Sequence, residues 1–361
     1  MLDLVGHDAP QSTTMRGVPS LLYSSDAAAA LSTDQLHSLG SSALLELEAA
    51  LSADRSPHAV PPAGTFAKFE RTLVSAIPTP REMMSAVAVA RLDRQLDALL
   101  RALSFVFLHR AALKAVEYLI RVHAVHKHRP ASLLAAVLPY HATPPFSRAL
   151  ALLAPHLPTE SPWSWLKPGS IARAAIVSRC SYERAPGAAI VRALCELAKS
   201  AAEAPEATKD CVEGGVLASF AAVTLVEALP SAVAAGEAHV LPIVELVLKL
   251  LSPEAPRQSR ETGLLLLAQL TCHSPLSAAA ASAFSTRIAA LIAQASTAAA
   301  AEPLMLCLLL LTRSQQAAAQ PFTPPTSLTR PSVADGSDQA PAGDLASLDP
   351  ALGALVSLST R

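Results

Sequence analysis

The sequence predicts an all-α protein, and its composition supplies the main reasons. Hydrophobic residues make up 51% of the 361 residues, whereas aromatic residues make up only 4%. Alanine and leucine, both strong helix formers, dominate the hydrophobic fraction. No alternating apolar and polar run bounded by turn residues predicts a strand. With only 16% charged residues, the chain as a whole is too apolar to be disordered.

The N-terminal elements follow from capping signals and apolar spacing. Residues 1–33 are predicted to form a loosely ordered segment, in which Leu21-Leu22-Tyr23 could dock as a short anchor. Ser32 or Asp34 can cap a helix that runs to about Ala53. A Pro/Ala/Ser loop follows that helix, and a short helix is then predicted over 66–77.

A stronger start signal lies at Thr79-Pro80-Arg81-Glu82, which offers an N-cap threonine, a proline at the first helical position and a glutamate at the third. We expect the helix that it opens to run to about Leu108. We also expect this helix to pack as an antiparallel pair against the next one, over 110–129.

The helix over 110–129 is predicted to end before Pro130, because the residue that precedes a proline is disfavoured in the α conformation. Most of its circumference is apolar, so its one charged stripe should face water or a partner. Glu117, within the stripe, can pair with Lys114 or Arg121. The stripe falls within about 60° on a helical wheel and consists of Arg110, Lys114, Glu117, Arg121 and His128.

The same helical texture continues after Pro130, with proline or glycine near most joins. Helix pairs that recur every ~40–47 residues indicate a HEAT or armadillo solenoid, and a compact irregular bundle is the alternative. The predicted organisation is a solenoid over 34–314, followed by a Pro/Ser/Ala-rich flexible tail over 315–361. Helices are predicted over about 130–139, 144–154, 168–180, 186–203, 206–229, 231–252, 256–273, 275–294 and 299–314.

The charge is unevenly distributed, although the net charge is only −1. Residues 64–184 hold 16 Lys and Arg against 7 Asp and Glu, while the rest of the chain holds 12 against 22. A basic segment predicts an anionic partner, and the alternative is an ordinary solvated surface whose counter-charges lie on later helices. The candidate RNA- or partner-binding residues are Arg110, Lys114 and Arg121, extended by Lys127 and Arg129.

No enzymatic chemistry is predicted. A Gly-x-Ser-x-Gly elbow, a P-loop, a Rossmann glycine set and an HExxH motif are all missing, so we assign no catalytic residues, no cofactor and no small-molecule substrate. His123, His126, His128 and His141 crowd one region and could suggest a metal. Since no cysteine or acidic residue lies at ligand spacing beside them, we expect packing or surface roles and no metal.

The cysteines and the apolar runs do not indicate secretion or a membrane. Cys180, Cys195, Cys211, Cys272 and Cys307 are scattered, which favours reduced thiols that behave as small buried hydrophobic residues. The first residues lack the basic and apolar regions of a secretory signal. The most apolar run, over 303–311, is too short to span a bilayer and is expected to be a core helix.

Several motifs occur in the order seen in one known family. The helix reads Ala-Leu-Lys at 112–114, Glu-Tyr-Leu-Ile-Arg at 117–121 and then His126; Leu-Pro-Tyr-His at 138–141 and Trp-Ser-Trp at 163–165 follow. Matching stretches lie upstream at 19–23, 66–73 and 92–93. This pattern resembles the N-terminal domain of the U3 small nucleolar RNA-associated protein 10 family, whose members are far longer. The signature region is 66–180, and its structural signature residues are Tyr118, Leu138, Pro139, Tyr140, His141, Trp163 and Trp165.

The resemblance implies a function that the composition does not show. Members of that family are scaffold subunits of the nucleolar small-subunit processome. By resemblance, this chain would lie in the nucleus and nucleolus, with other subunits of the transcription-associated subcomplex, pre-rRNA and U3 snoRNA as partners. It would support pre-18S rRNA processing and RNA polymerase I transcription. The alternative is a HEAT/armadillo-type protein-binding adaptor that makes no RNA contact.

Overall fold

The computed structural model describes residues 19–53, 61, 63–74, 79–167, 173–181, 184–202, 216–274 and 276–319. Within these ranges the chain forms helices and turns and contains no strand, so the all-α prediction is confirmed. Residues 1–18 and 320–361 lie outside the described residues. These residues make up most of the predicted N-terminal segment and nearly all of the predicted tail.

The N-terminal half contains eight α-helices within the described residues. Short non-α turns at Glu70–Val74, Arg81–Met83 and Leu138–Tyr140 interrupt them. The helices are α1 (Ser25–Ala29), α2 (Thr33–Ala53), α3 (Thr65–Phe69), α4 (Ala86–Ser104), α5 (Arg110–Val122), α6 (Val125–His128), α7 (Pro130–Val137) and α8 (Pro144–Leu153).

The C-terminal half continues with longer helices, and each of them contacts its near neighbours in the sequence. α10 packs on α9, α11 and α12, and α13 packs on α11, α12 and α15. Contact between each helix and the next one or two along the chain is the packing of a helical-repeat solenoid, so this prediction is confirmed. The helices are α9 (Arg173–Cys180), α10 (Arg184–Ala202), α11 (Val216–Ala235), α12 (Glu237–Leu250), α13 (Arg257–His273), α14 (Ala278–Gln294) and α15 (Ala298–Ala319).

The predicted pairing of the two helices before Pro130 is wrong. α5 packs mainly on α2, while α4 packs mainly on α7. The contact between α2 and α5 is close because Gly40 has no side chain: a Cβ there would lie 2.7 Å from the ring of Tyr118. The missing methyl group therefore lets the largest side chain of α5 lie against the backbone of α2.

The predicted single helix over 110–129 is also wrong. α5 ends at Val122, and Ala124 has a left-handed φ of 47° before α6 begins at Val125. This turn directs Val125 and His126 into the interior, where α6 contacts α5, α7 and α8. The predicted boundary at Pro130 is correct, since Pro130 opens α7.

Two further boundaries differ from the prediction. The signal at residues 79–82 opens only the Arg81–Met83 turn, and α4 begins later with Ser85 as its cap, which accepts a hydrogen bond from the Ala88 N–H at 3.3 Å. Pro230, the expected break, lies inside α11. The chain instead turns at Gly236, whose φ of 110° is accessible mainly to glycine.

α11 is the one described helix that is long and apolar enough to cross a membrane by length and composition, with a mean hydropathy of 1.8. Half of that window is buried in the fold. It packs against α9, α10, α12 and α13, which is the position of a core helix in the solenoid.

Candidate partner-binding surface

The charged residues of α5 do not form the predicted surface stripe. Glu117 and Arg121 form an ion pair with 2.9 Å between Oε1 and Nε, and their side chains are 0% and 1% exposed. The expectation that Arg121 faces water or a partner is therefore wrong. A charge in the interior needs a compensating partner, and the spacing of four residues on a helix places these two side chains together.

The same carboxylate anchors the N-terminal segment. The Leu21 N–H donates a hydrogen bond to Glu117 Oε2 at 2.8 Å, and Arg148 Nη1 donates to the Leu21 carbonyl at 2.9 Å. Ser20 Oγ accepts hydrogen bonds from the N–H groups of Leu22 and Tyr23 at 3.1 and 2.8 Å, which holds the turn. Leu21 itself is buried. The predicted docking of this short anchor is confirmed, and Glu117 of α5 and Arg148 of α8 hold it.

The other candidate residues divide into paired and exposed groups. Lys114 Nζ lies 3.1 Å from Glu46 Oε2 on α2, and Arg129 Nε lies 2.9 Å from Asp97 Oδ1 on α4. That contact with Asp97 raises the pKa of the Arg129 guanidinium above its usual range. Arg110 and Lys127 are exposed. The five predicted residues therefore do not form one continuous polar edge.

The signature tyrosines bind backbone carbonyls. The buried Tyr118 hydroxyl donates to the Leu73 carbonyl at 3.2 Å, and burial raises the pKa of Tyr118 to about 12. The Tyr140 hydroxyl donates to the Ser104 carbonyl at the end of α4. A tyrosine in this role contributes a large apolar ring and satisfies a carbonyl at a helix end.

The remaining signature residues fill the core. Leu138 is buried, with Pro139 following it in the turn that ends α7, and His141 packs its ring on Phe220 of α11 at 5.4 Å between centroids. Trp163 is also buried. Trp165 packs against the core, with the Arg179 guanidinium 5.1 Å from its ring centroid.

The clustered histidines are placed by packing. Burial lowers the pKa of His123 and of His126 to about 4. His123 lies edge-on to Tyr118, and His126 lies edge-on to His156, with centroids 5.6 and 5.3 Å apart. In the part of the chain that the structure describes, no three metal-ligating side chains come together.

One basic surface was missed by the sequence reasoning. α4 buries Leu96, Leu99, Leu100 and Leu103 on one side. The opposite side exposes three arginines, which lie within about 80° of one another on the helix. We call this the α4 arginine face, and it consists of Arg91, Arg94 and Arg101.

The α4 arginine face is hard to find from the sequence, because Asp93 and Asp97 lie on the same helix at a spacing that would balance Arg94 and Arg101. The structure pairs Asp93 with Arg81 and Asp97 with Arg129 instead. Both carboxylates lie on the flank of α4 and are satisfied by arginines outside the helix. A wheel drawn with the apolar side of α4 facing inward would have separated the acidic flank from the basic face.

The chain is similar to curated proteins that are much longer than itself. It is 31% identical over 245 residues to HEAT repeat-containing protein 1 of Danio rerio, a match that covers 64% of this chain and 11% of the relative. The human protein of the same name is 30% identical over 222 residues, covering 60% of this chain and 10% of the relative. U3 small nucleolar RNA-associated protein 10 of Pyricularia oryzae is 33% identical over 126 residues, covering 33% of this chain and 7% of the relative.

No family model matches the sequence. The chain spans about a tenth of the length of the curated relatives that it matches. The recurring helix pairs predicted a HEAT-type repeat, and the motifs predicted the U3 small nucleolar RNA-associated protein 10 family. Both terms occur in the names of these relatives. The resemblance of this chain to the U3 small nucleolar RNA-associated protein 10 family is therefore confirmed.

Proposed function

We propose that the chain is a scaffold of the nucleolar small-subunit processome, which supports pre-18S rRNA processing and RNA polymerase I transcription in association with U3 snoRNA and pre-rRNA. The observation that carries the proposal is the α5 motif itself. Glu117 binds both the N-terminal anchor and Arg121. Tyr118 binds the Leu73 carbonyl and packs against Gly40 of α2. The matching motif residues are thus the ones that set this particular fold.

The geometry supports scaffolding because the solenoid offers outward surfaces along its length. The described residues assemble no group of metal ligands, and the clustered histidines are engaged in packing. The proposed partners are other subunits of the transcription-associated subcomplex together with the RNA, and the proposed location is the nucleolus.

A second candidate, the protein-binding adaptor without RNA contact, is favoured by one observation. Three leucines on α15 are 55%, 60% and 40% exposed, namely Leu306, Leu309 and Leu310. Neighbouring apolar side chains that face water favour contact with protein. This candidate predicts that binding survives removal of RNA.

The test is affinity purification of the tagged full chain from nucleolar extract, with and without ribonuclease, followed by quantification of processome subunits and pre-rRNA. Enrichment of both, together with ultraviolet crosslinking of the chain to pre-rRNA, is the expected result. Recovery of subunits without any RNA crosslink would favour the adaptor. Recovery of neither subunits nor pre-rRNA would contradict the processome assignment.

A variant in which glutamine replaces the three α15 leucines tests whether this surface binds the subunits. If protein contacts dominate, this variant loses subunits while its folded helical signal is unchanged, because the replaced side chains are exposed. Retention of the same subunits by the variant would remove α15 from the interface.

A further inference from the structure

The charges near α4 leave a basic surface without internal compensation. The carboxylates within residues 79–167 are Glu82, Asp93, Asp97, Glu117 and Glu160. Asp93, Asp97 and Glu117 are each bound by an arginine, namely Arg81, Arg129 and Arg121. Arg91, Arg94 and Arg101 form no ion pair with any residue that the structure describes.

We infer that the α4 arginine face binds the phosphate backbone of RNA. Arg91, Arg94 and Arg101 are exposed on the side of α4 away from the core. Arginines three residues apart on one helix face repel each other, so the arrangement opposes helix stability and is explained better by an anionic ligand. The choice of RNA among polyanions rests on the proposed function, whereas the position of the site rests on the structure alone.

The dimensions favour a polymer of phosphates over a single anion. A helix rises about 1.5 Å per residue, so the ten steps from Arg91 to Arg101 span about 15 Å. One strand of a duplex carries a phosphate about every 3.4 Å along its axis, so several phosphates lie within this length. Guanidinium groups can bind phosphate oxygens through two parallel hydrogen bonds. No tyrosine or tryptophan lies on α4, so the contact should be to the backbone and insensitive to base sequence.

One neighbouring helix, α6, adds an exposed positive charge close to α4. Lys127 is exposed on α6, and Arg129, the C-terminal cap of α6, binds Asp97 on α4. α6 therefore borders the acidic flank of α4. An acidic helical partner would also need an apolar groove for its anchor residues. The large apolar side chains that are exposed in this region are Met83 and Val87, near the N-terminal end of α4, and Leu108, beyond its C-terminal end, so none of them lies between Arg91 and Arg101.

The test measures binding of the full chain to a mixed-sequence single-stranded RNA and to the matching duplex, across a series of salt concentrations. The variant carries Arg91→Gln, Arg94→Gln and Arg101→Gln. For a single strand, removing one arginine–phosphate contact should reduce the slope of log affinity against log salt by about 0.7, so the slope of the triple variant should fall by about 2 units. Its affinity at low salt should fall at least tenfold.

A matched control removes three arginines from the other end of the solenoid, with Arg260→Gln, Arg287→Gln and Arg313→Gln, so that the change in net charge is the same. This control should retain the wild-type slope. An equal loss in both variants would overturn the inference, because net charge alone would then explain binding. Unchanged RNA binding by the α4 variant would also overturn it and would place the contact elsewhere.

Binding to polyglutamate, which mimics an acidic protein surface, is measured in the same way. Binding of the wild-type chain to polyglutamate but not to RNA would overturn the inference in favour of an acidic protein surface, as would the absence of binding to either. These outcomes concern the α4 surface alone. The processome assignment is tested separately by subunit recovery, so it could stand while this inference fails.

Discussion

The carboxylate of Glu117 accepts a hydrogen bond from the backbone N–H of Leu21, which lies 96 residues earlier in the sequence. Its other oxygen binds Arg121, so one buried side chain joins the N-terminal anchor to the central helix. We expect Glu117→Ala to destabilise the fold by about 3–5 kcal/mol, because it leaves a buried guanidinium without its carboxylate. Chemical denaturation of the purified chain would measure the loss.

The double variant Glu117→Leu with Arg121→Met provides the control for this pair. Since both charges are then absent, it should lose less stability than the sum of the two single variants. Additive losses would show that the ion pair contributes nothing beyond its separate contacts.

The contact between Gly40 and Tyr118 predicts an unusual response to alanine. In most helices Gly→Ala is stabilising by about 1 kcal/mol. At Gly40 the new Cβ would lie 2.7 Å from Cδ2 and Cγ of the Tyr118 ring, so α2 and α5 must move apart. Overpacking of this kind costs about 1–3 kcal/mol, and we expect a net loss of stability. Thermal unfolding of Gly40→Ala, with the exposed Ser38→Ala as control, measures this loss of stability. Higher stability than the wild type in both variants would contradict the close contact.

Buried histidines predict destabilisation by acid. Burial lowers the pKa of His123 and His126 from 6.5 to about 4. Between these values the unfolded chain binds more protons than the folded one, so stability that is complete above about pH 6.5 is lost as the pH falls toward 4. Denaturation at several pH values should show this fall. The fall in stability should be smaller in the double variant His123→Gln with His126→Gln than in the wild type. In the exposed control His273→Gln it should equal that of the wild type.

Cysteine labelling provides a test of the packing. Burial raises the pKa of the Cys180 and Cys195 thiols to about 12, so both lack the reactive thiolate. Cys272 is exposed, which corrects the expectation that the cysteines are all buried. Cys211 lies outside the described residues. In a Cys211→Ser background, a maleimide should label Cys272 and leave Cys180 and Cys195 unmodified until denaturant is added. Comparable labelling of all three in the folded state would contradict this packing.

Much of the fold follows from local patterns. The helical class, the helical-repeat architecture and the boundary at Pro130 depend on composition, apolar spacing and the conformational limits of proline. The helix cap at Ser32 is also local in the sequence. Ser32 Oγ accepts a hydrogen bond from the Gln35 N–H, and Gln35 Oε1 accepts one from the Ser32 N–H. This reciprocal cap involves neighbours only, so the sequence shows it.

The candidate surface could not be obtained in this way. The buried Glu117 that binds Arg121 also binds the Leu21 N–H, 96 residues earlier in the sequence, and whether Asp97 balances Arg101 depends on where Arg129 lies. Ala124 was unpredictable for the same reason, because its left-handed turn is favourable only once Val125 and His126 are buried by other helices. Charge pairing and burial over long sequence separations are properties of the packed chain. The sequence by itself therefore determined the helical solenoid and its family resemblance, and only the tertiary structure decided which arginines remain available to a partner.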